Sequence, residues 1–335
     1  MTKFRARLLA AIFLAALCFA APRAYAGSRS AVPDWVRSAA EAAPPAFPHS
    51  TKTVVLLWET TYTVAADGRA TEHVREVVKV LRPSGRQEAV PHIEFDKDKK
   101  IEQFHVWSID PAGHEMAMKD SEMFDVGQDG GGELYDDVRF RTANPPGDDP
   151  GGIVAWEYEE RERPYAAETT WEFQDELPHM KQSFTLILPT GFEHSESWAH
   201  HAPVEGRDLG QGQRVWTMDH TPAIDVEDVA LSPSGDALSG RLTIHYWAAT
   251  MQQPREDSWQ GIGLWYSGLT RGRFDATPEM AAKAAELTAG RTEFFDKARA
   301  IGEFVQKQTR YFAVELGVGG ISAAPCGRGV RQALR

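Results

Sequence analysis

Cys326 is the only cysteine after Cys18, so a cysteine nucleophile in the body of this chain could be no other residue. Such a nucleophile acts as a thiolate beside a histidine base, often at a helix N-terminus whose dipole lowers the thiol pKa. Cys326 sits instead between Pro325 and Gly327 in "ISAAPCGRGVRQALR", a stretch with neither helical nor strand period, and no histidine follows His245. The atom for the chemistry is present and its setting is not.

Three other groups have residue types that could do work. His194, His200 and His201 lie close together in "EHSESWAHHAP", but without His-x-His or His-Glu-x-x-His spacing and with no cysteine nearby they read as a surface loop after a strand, not a zinc site. Asp125 and Asp129 in "DVGQDGGGELYDD" resemble part of a calcium loop. An EF-hand also needs an oxygen ligand at its third position and a glutamate at its twelfth, where this loop has Gly127 and Asp136, so a solvated turn is the better reading. Trp58, Trp107, Trp156, Trp171, Trp198, Trp216 and Trp247 offer aromatic faces for a sugar or a peptide. Trp58 and Trp107 fall at alternating strand positions, where core packing is the usual reason. No catalytic, cofactor-binding or metal-ligating residue is assigned, and no cofactor is expected.

The elements that must position these residues follow from the periodicity. "PDWVRSAAEA" reads as a short helix from about Pro33 to Ala43, stopped by Pro44-Pro45, with Trp35 and Val36 facing the next domain. From Lys52 the period is two: Val54, Leu56, Trp58, Thr60, Tyr62 and Val64 form one mostly apolar face of a strand. Asp67-Gly68 turns the chain, and Val74, Val78 and Val80 share a face on the return. "IEQFHVWSIDPAGHEMAMK" repeats the pattern, and further strands are expected at Tyr135–Thr142, Ile153–Glu160, Glu168–Phe173, Met180–Leu188, Arg214–Met218 and Arg241–Ala248. Many short strands between Gly, Pro and Asp turns predict a mainly β fold, an antiparallel sandwich over residues 51–250.

After a boundary near 252–257 the period becomes helical. Trp259, Ile262, Tyr266 and Leu269 share one face; Thr277 caps a helix that Gly290 ends; Thr292 is expected to cap the next, with Phe294, Ala298, Ile301 and Val305 in register. If nothing covers these helices, their apolar stripes either pack on the β domain or stay exposed.

Composition narrows the function classes. With 42% hydrophobic and 25% charged residues, the 335-residue chain is ordinary globular material. Residues 1–26 run from a basic start through an apolar stretch to Ala24-Tyr25-Ala26, the pattern of a signal peptide cut after Ala26, and residues 27–50 form the short helix and linker. Cleavage removes Lys3, Arg5, Arg7 and Arg23 and no acidic residue, leaving 32 basic against 48 acidic residues and a net charge of −16. Such a surface repels nucleic acid and anionic lipid, and no later segment is apolar enough to span a bilayer. A periplasmic or secreted protein follows, with a cell-envelope protein, peptide or glycan as its expected partner.

"PDWV", "LYDDVRFRTANPPGDDPGGIVAWEYE", "WEFQDELPHMKQSFTLILPTG" and "VQKQTRYFAVELGVGG" together resemble bacterial exported proteins of domain-of-unknown-function family 3857 (DUF3857) joined to a transglutaminase-like, papain-like domain. The resemblance covers nearly the whole chain from the cleavage site to Gly320, most specifically in "GGIVAWEYE" and "TRYFAVELGVGG". It implies that 257–320 are the opening helices of the second domain. In that family a Pro-His pair and then "RYGDCKD" follow "GVGG", the cysteine being the nucleophile. None of these positions exists here, so no catalytic residue carries over. The departure begins after Gly320. Read one base out of frame with GC-rich codons, "AAPCGRGVRQALR" and a stop can give "PHRADVVFAKRYGD", so residues 321–335 are expected to be out-of-frame translation. Sequencing the gene from the Val318 codon onward tests this; a shifted frame that encodes nothing like a transglutaminase core refutes it.

Overall fold

The computed structural model describes residues 32–42, 44–127, 134–224, 233, 235–250, 258–309 and 313–315. The expected signal peptide, the domain boundary near 252–257, Asp129 and Cys326 lie outside them.

Helix α1 (Asp34–Glu41) buries Val36 completely and sets Trp35 edge-on to Trp107 at 5.8 Å. It is followed by β1 (Thr53–Val64) and β2 (Ala70–Val80), paired antiparallel about the Asp67-Gly68 turn, where Gly68 takes φ +80°. Then come β3 (His92–Phe95), β4 (Lys100–Ile109), β5 (Glu115–Ala117), β6 (Met123–Gly127), β7 (Leu134–Asp136), β8 (Arg139–Ala143) and β9 (Ile153–Glu162). The second half adds β10 (Glu168–Glu172), β11 (His179–Ile187), β12 (Phe192–Ala199), β13 (Arg207–Gly210), β14 (Gln213–Thr221) and β15 (Arg241–Ala248). Helices α2 (Trp259–Leu269), α3 (Pro278–Thr288) and α4 (Phe294–Gln308) precede a last short strand, β16 (Ala313–Glu315).

Eight strands form one large sheet in the order β13-β14-β11-β1-β2-β9-β4-β5. Two three-stranded sheets, β10-β15-β12 and β3-β8-β6, accompany it, and β7 pairs with β16. The fold is mainly β, a sandwich-like domain followed by helices, as the sequence predicts. The pairing is not wholly antiparallel: β1 runs parallel to β11. Parallel neighbours need a long crossover, and everything from β2 to β10 supplies it.

The single apolar face expected for β1 does not survive either. The β1–β2 register shifts between Val55 and Leu57. Val54, Leu56 and Leu57 accordingly join the cluster under α1, while Val55 and then Trp58, Thr60 and Tyr62 face the other side. A bulge flips the side-chain phase, so both faces of the first half of β1 are buried. Tyr135–Thr142, expected as one strand, is two in different sheets, and β3, β6, β12 and β13 were not expected.

Two clusters occupy the inner face of the large sheet. One gathers Tyr62, Phe184, Leu186 and Trp216 with Trp171, Phe173, Leu242, Ile244 and Tyr246 of the β10-β15-β12 side. The other gathers Val78, Phe104, Val106 and Trp156 with Ile93 and Ala143 of the β3-β8-β6 side. Gly240 is required against the first: a Cβ there would stand 2.5 Å from the Phe173 ring.

The helices are capped much as the sequence indicates, Thr277 Oγ1 accepting from the Met280 N–H at 3.3 Å. Glu293, not Thr292, occupies the N-cap of α4, without a side-chain cap bond. Their apolar stripes stay exposed: Trp259 is 89% and Phe294 75% accessible. Phe173→Ala is therefore expected to cost about 3–5 kcal/mol, and Phe294→Ser less than about 0.5 kcal/mol. Urea denaturation of the two variants checks this, and similar losses in both would contradict the packing.

Candidate functional site

On the inner face, between the two clusters, the strand register sets polar groups in rows. Gln182, Trp58, Glu76, Trp156 and Val106 are successive partners across β11, β1, β2, β9 and β4. One row on come Phe184, Thr60, Val74, Tyr158 and Phe104, and then Leu186, Tyr62, Glu72, Glu160 and Ile101. Ala70 and Glu162 follow. Glutamates thus occupy positions on β2 and β9 that the alternation reserves for core residues.

Glu160 is 1% exposed and its Oε1 lies 2.6 Å from Lys99 Nζ. Its carboxyl is nonetheless raised, because burial disfavours the charge more than Lys99 favours it. Glu72, its neighbour across the strands, is raised by burial and by the Glu160 charge, with Lys99 working against the shift. Burial alone would lower Lys99; Glu160, Glu72 and Glu162 outweigh it and hold the ammonium above its ordinary value. Tyr62 donates its hydroxyl to Glu162 Oε1 at 2.9 Å and lies 3.5 Å from the Tyr246 hydroxyl, and burial followed by the Glu162 charge raises it strongly.

In the first row Glu76 is pushed up to about 8 by burial and then by Asp175, offset in part by the Trp156 indole N–H. No cation figures among those influences. His179, 1% exposed, donates from Nε2 to Asp175 Oδ1 at 3.0 Å and lies 5.4 Å from the Trp58 ring. Its Nδ1 and the Gln182 Oε1 are buried without hydrogen-bond partners.

The Glu72–Glu160 network reaches the surface at a cleft of about 410 Å³ lined by Asp96, Asp98, Lys99, Glu162, Tyr165 and Trp265 of α2, with Tyr165 donating to Asp98. Lys99 and Glu162 belong to both cleft and network. A second cleft of about 700 Å³ lies beside Lys52, Glu88, Glu172, Asp175 and Glu176. A third of about 630 Å³ separates β4 from β6 and holds Phe124 and Arg141.

The residues singled out in the sequence do not converge. Asp125 is committed to Arg141, Nε to Oδ1 at 2.8 Å. His194 is on β12, not in a loop; it is half-buried, which lowers its pKa, with its ring 6.2 Å from Trp216. His200, at φ +56°, and His201 are exposed at the end of that strand. Trp156, Trp171 and Trp216 are core, as expected, and Trp58 is half-buried against the second cluster; Trp58 and Trp156 flank Glu76. Among the described residues no three His, Cys, Asp or Glu side chains gather to hold a metal ion, and no helix is long and apolar enough to cross a membrane. Sequence reasoning missed Glu72, Glu76, Glu160 and Lys99. Their signal was parity: Glu72 and Glu76 share a face with Val74 and Val78, as Glu160 does with Trp156 and Tyr158.

A β sandwich continued by helices is an architecture found among solved structures. A candidate protease from Parabacteroides distasonis ATCC 8503 shares it, with TM-score 0.64 at 14% identity, covering 84% of this chain and 55% of that one. The present chain thus spans about half the length of that protein. Residues 66–225 match the family described as "Domain of Unknown Function with solved-structure structure (DUF3857)", so the chain carries a DUF3857 domain over that span. The M1 zinc metallopeptidase from Deinococcus radiodurans (10% identity, 65% of this chain and 53% of that one) and yeast LTA4 hydrolase (9%, 64% and 33%) superpose only at TM-score 0.31, too low to indicate a shared fold. No curated protein matches the chain in sequence.

The Glu72 carboxyl is held above its ordinary 4.5, so between about pH 5 and pH 8 the unfolded chain releases a proton that the folded chain keeps. Stability contributed by this group therefore falls as pH rises through that window. Glu72→Gln should flatten the fall and stabilise the chain at pH 8 on the order of 1–3 kcal/mol, while Lys99→Met, which strands Glu160, should cost about 3–5 kcal/mol. Thermal melts from pH 5 to pH 8.5 test both; a wild-type slope unchanged in Glu72→Gln would refute the assignment.

Proposed function

We propose that this chain is an exported, non-catalytic β module that binds a cell-envelope peptide, glycan or protein, and that its helices open a transglutaminase-like domain. One observation carries the binding reading: the polar strip of the inner face, where half-buried Trp58 and Tyr158 lie among glutamates that packing alone would replace by apolar residues. Buried charges without full partners destabilise a fold and are tolerated where they serve binding. Nucleic acid stays a poor partner for so acidic a chain.

A second reading makes the chain an inactive fragment of an exported cysteine transamidase or peptidase whose core is lost by a frameshift. It is favoured by the uncovered helix faces, Trp259, Leu264, Phe294 and Phe295 among them, which in such a domain lie against the core. The fold likeness to a candidate protease is compatible with it. In that enzyme a thiolate would form a thioester that an amine or water then opens.

Calorimetric titration of the chain with soluble envelope peptides and oligosaccharides should show saturable binding, and a flat titration with all of them would remove the first reading. Restoring the frame and assaying thiol-dependent amine incorporation or amide hydrolysis tests the second; an intact, folded product without either activity would sink it.

A further inference from the structure

The two acidic groups of the inner face are built differently. Around Glu160 the chain supplies its own cation, Lys99, at 2.6 Å from Oε1, although Oε2 is buried without a partner. Around Glu76 it supplies none: the charge acting on Glu76 is that of Asp175, of the same sign, and the groups ranged about it are indoles. Trp58 precedes Glu76 in the row and Trp156 follows it. Neighbouring strands lie about 4.8 Å apart, so the two indoles stand on strands roughly 10 Å apart. Trp156 is buried and turns its N–H edge toward Glu76, while Trp58 is the half-buried ring of the row, able to take a cation within about 6 Å of its face.

Two observations independent of the carboxyl point the same way. The His179 ring lies against Trp58 with its Nδ1 unpartnered, and Gln182, next to Trp58 in the same row, has an unpartnered Oε1. Each side chain is 1% exposed. A buried acceptor left open is unfavourable by roughly 1–3 kcal/mol, and two of them beside one aromatic ring are a provision for N–H donors. Trp58 and Glu76 are only half-buried, so the row is not sealed from solvent.

We propose that the Trp58–Glu76–Trp156 row is a recognition site for an organic ammonium, the side chain of a lysine or the amino terminus of a peptide. The inference rests on the binding reading above and names the ligand class for it. The carboxylate provides the counter-charge and the Trp58 ring provides a face that favours an ammonium over a neutral amine. No bond is made or broken.

Proton and ligand compete for Glu76, so affinity rises with pH until the carboxyl is ionised. The titratable groups facing it are Asp175 from the β10–β11 connection, His179 of β11, Tyr158 of β9 and, two rows on, Glu72 and Glu160. Lys99 lies with the latter pair and is satisfied there.

The test uses the purified chain, n-butylammonium chloride as probe and n-butanol as its neutral counterpart, at constant ionic strength. The readouts are the indole N–H resonances of Trp58 and Trp156, assigned by substitution. Butylammonium should shift both saturably, at least tenfold more tightly at pH 8.5 than at pH 6, and butanol should not. Glu76→Gln should weaken binding at least tenfold while keeping its melting transition, and Trp58→Leu should weaken it several-fold should the first variant fail to fold. Absence of saturation at pH 8.5, an equal response to butanol, or unchanged affinity in a folded Glu76→Gln overturns the proposal. If envelope peptides still bind calorimetrically while butylammonium neither binds nor competes, this inference fails and the binding reading stands; if neither binds, both fail.

Discussion

The large sheet must have both of its faces covered, and the bulge between Val55 and Leu57 is what makes that necessary. Ahead of it β1 turns Val54 and Leu56 one way and Val55 the other; beyond it Trp58, Thr60 and Tyr62 follow Val55. Apolar surface left in water costs about 25 cal/mol per Å², so neither side can remain bare. The α1 helix covers one side, with Val36 and Val32 inserted beside Val54 and Leu57. Covering the inner side takes two separate three-stranded sheets, each with its own cluster.

Coverage in two pieces produces the polar strip between them. Across the two faces of the sheet the same residue type behaves according to its surroundings. Glu157 of β9 also meets the burial penalty, but Arg75 and His73, at 2.8 and 2.7 Å, outweigh it and hold its carboxyl low. Glu160 is three residues further along that strand and its one lysine does not suffice, so it is raised. Glu76 has no cation and is raised to about 8. Burial is the common term, and the number of cations in reach decides the outcome.

Much of this architecture was legible in the sequence, because strand and helix periods report which side chains must be hidden. The β1–β2 hairpin, β9, β15 and the three C-terminal helices lie close to where the periodicity put them. Four strands were not: β3 and β13 are four residues long, too short to show alternation, while β6 is an edge strand with a mostly exposed face and β12 an edge strand whose inward Phe192 and Trp198 are separated by His194 and Glu196, so neither carries an apolar stripe. The parallel β1–β11 pair is a relation between distant segments, which periodicity cannot express. The acidic strip was hidden for a different reason. Read one strand at a time, Glu72 and Glu76 only interrupt the apolar face that Val74 and Val78 mark on β2, and the register that brings Trp58, Trp156 and Glu160 beside them shows what they share it with.

The helices bear on the same question from the other end of the chain. Helices α3 and α4 pack on each other, with Lys283 over the Phe304 ring at 5.2 Å, and Trp265 of α2 lines the cleft that opens the Glu72–Glu160 network. After α4 the backbone returns to the β domain: Ala313, Val314 and Glu315 pair in parallel with Leu134, Tyr135 and Asp136. A two-stranded parallel ribbon is marginal by itself. Both of its strands come from stretches that carry the family resemblance, "LYDDVRF" and "TRYFAVELGVGG", segments far apart in sequence and partners in space. The helical segment thus meets the β domain where Trp265 lines the cleft and where β16 pairs with β7, and the exposed apolar side chains between them, Phe294 and Phe295 among them, are free to meet another surface.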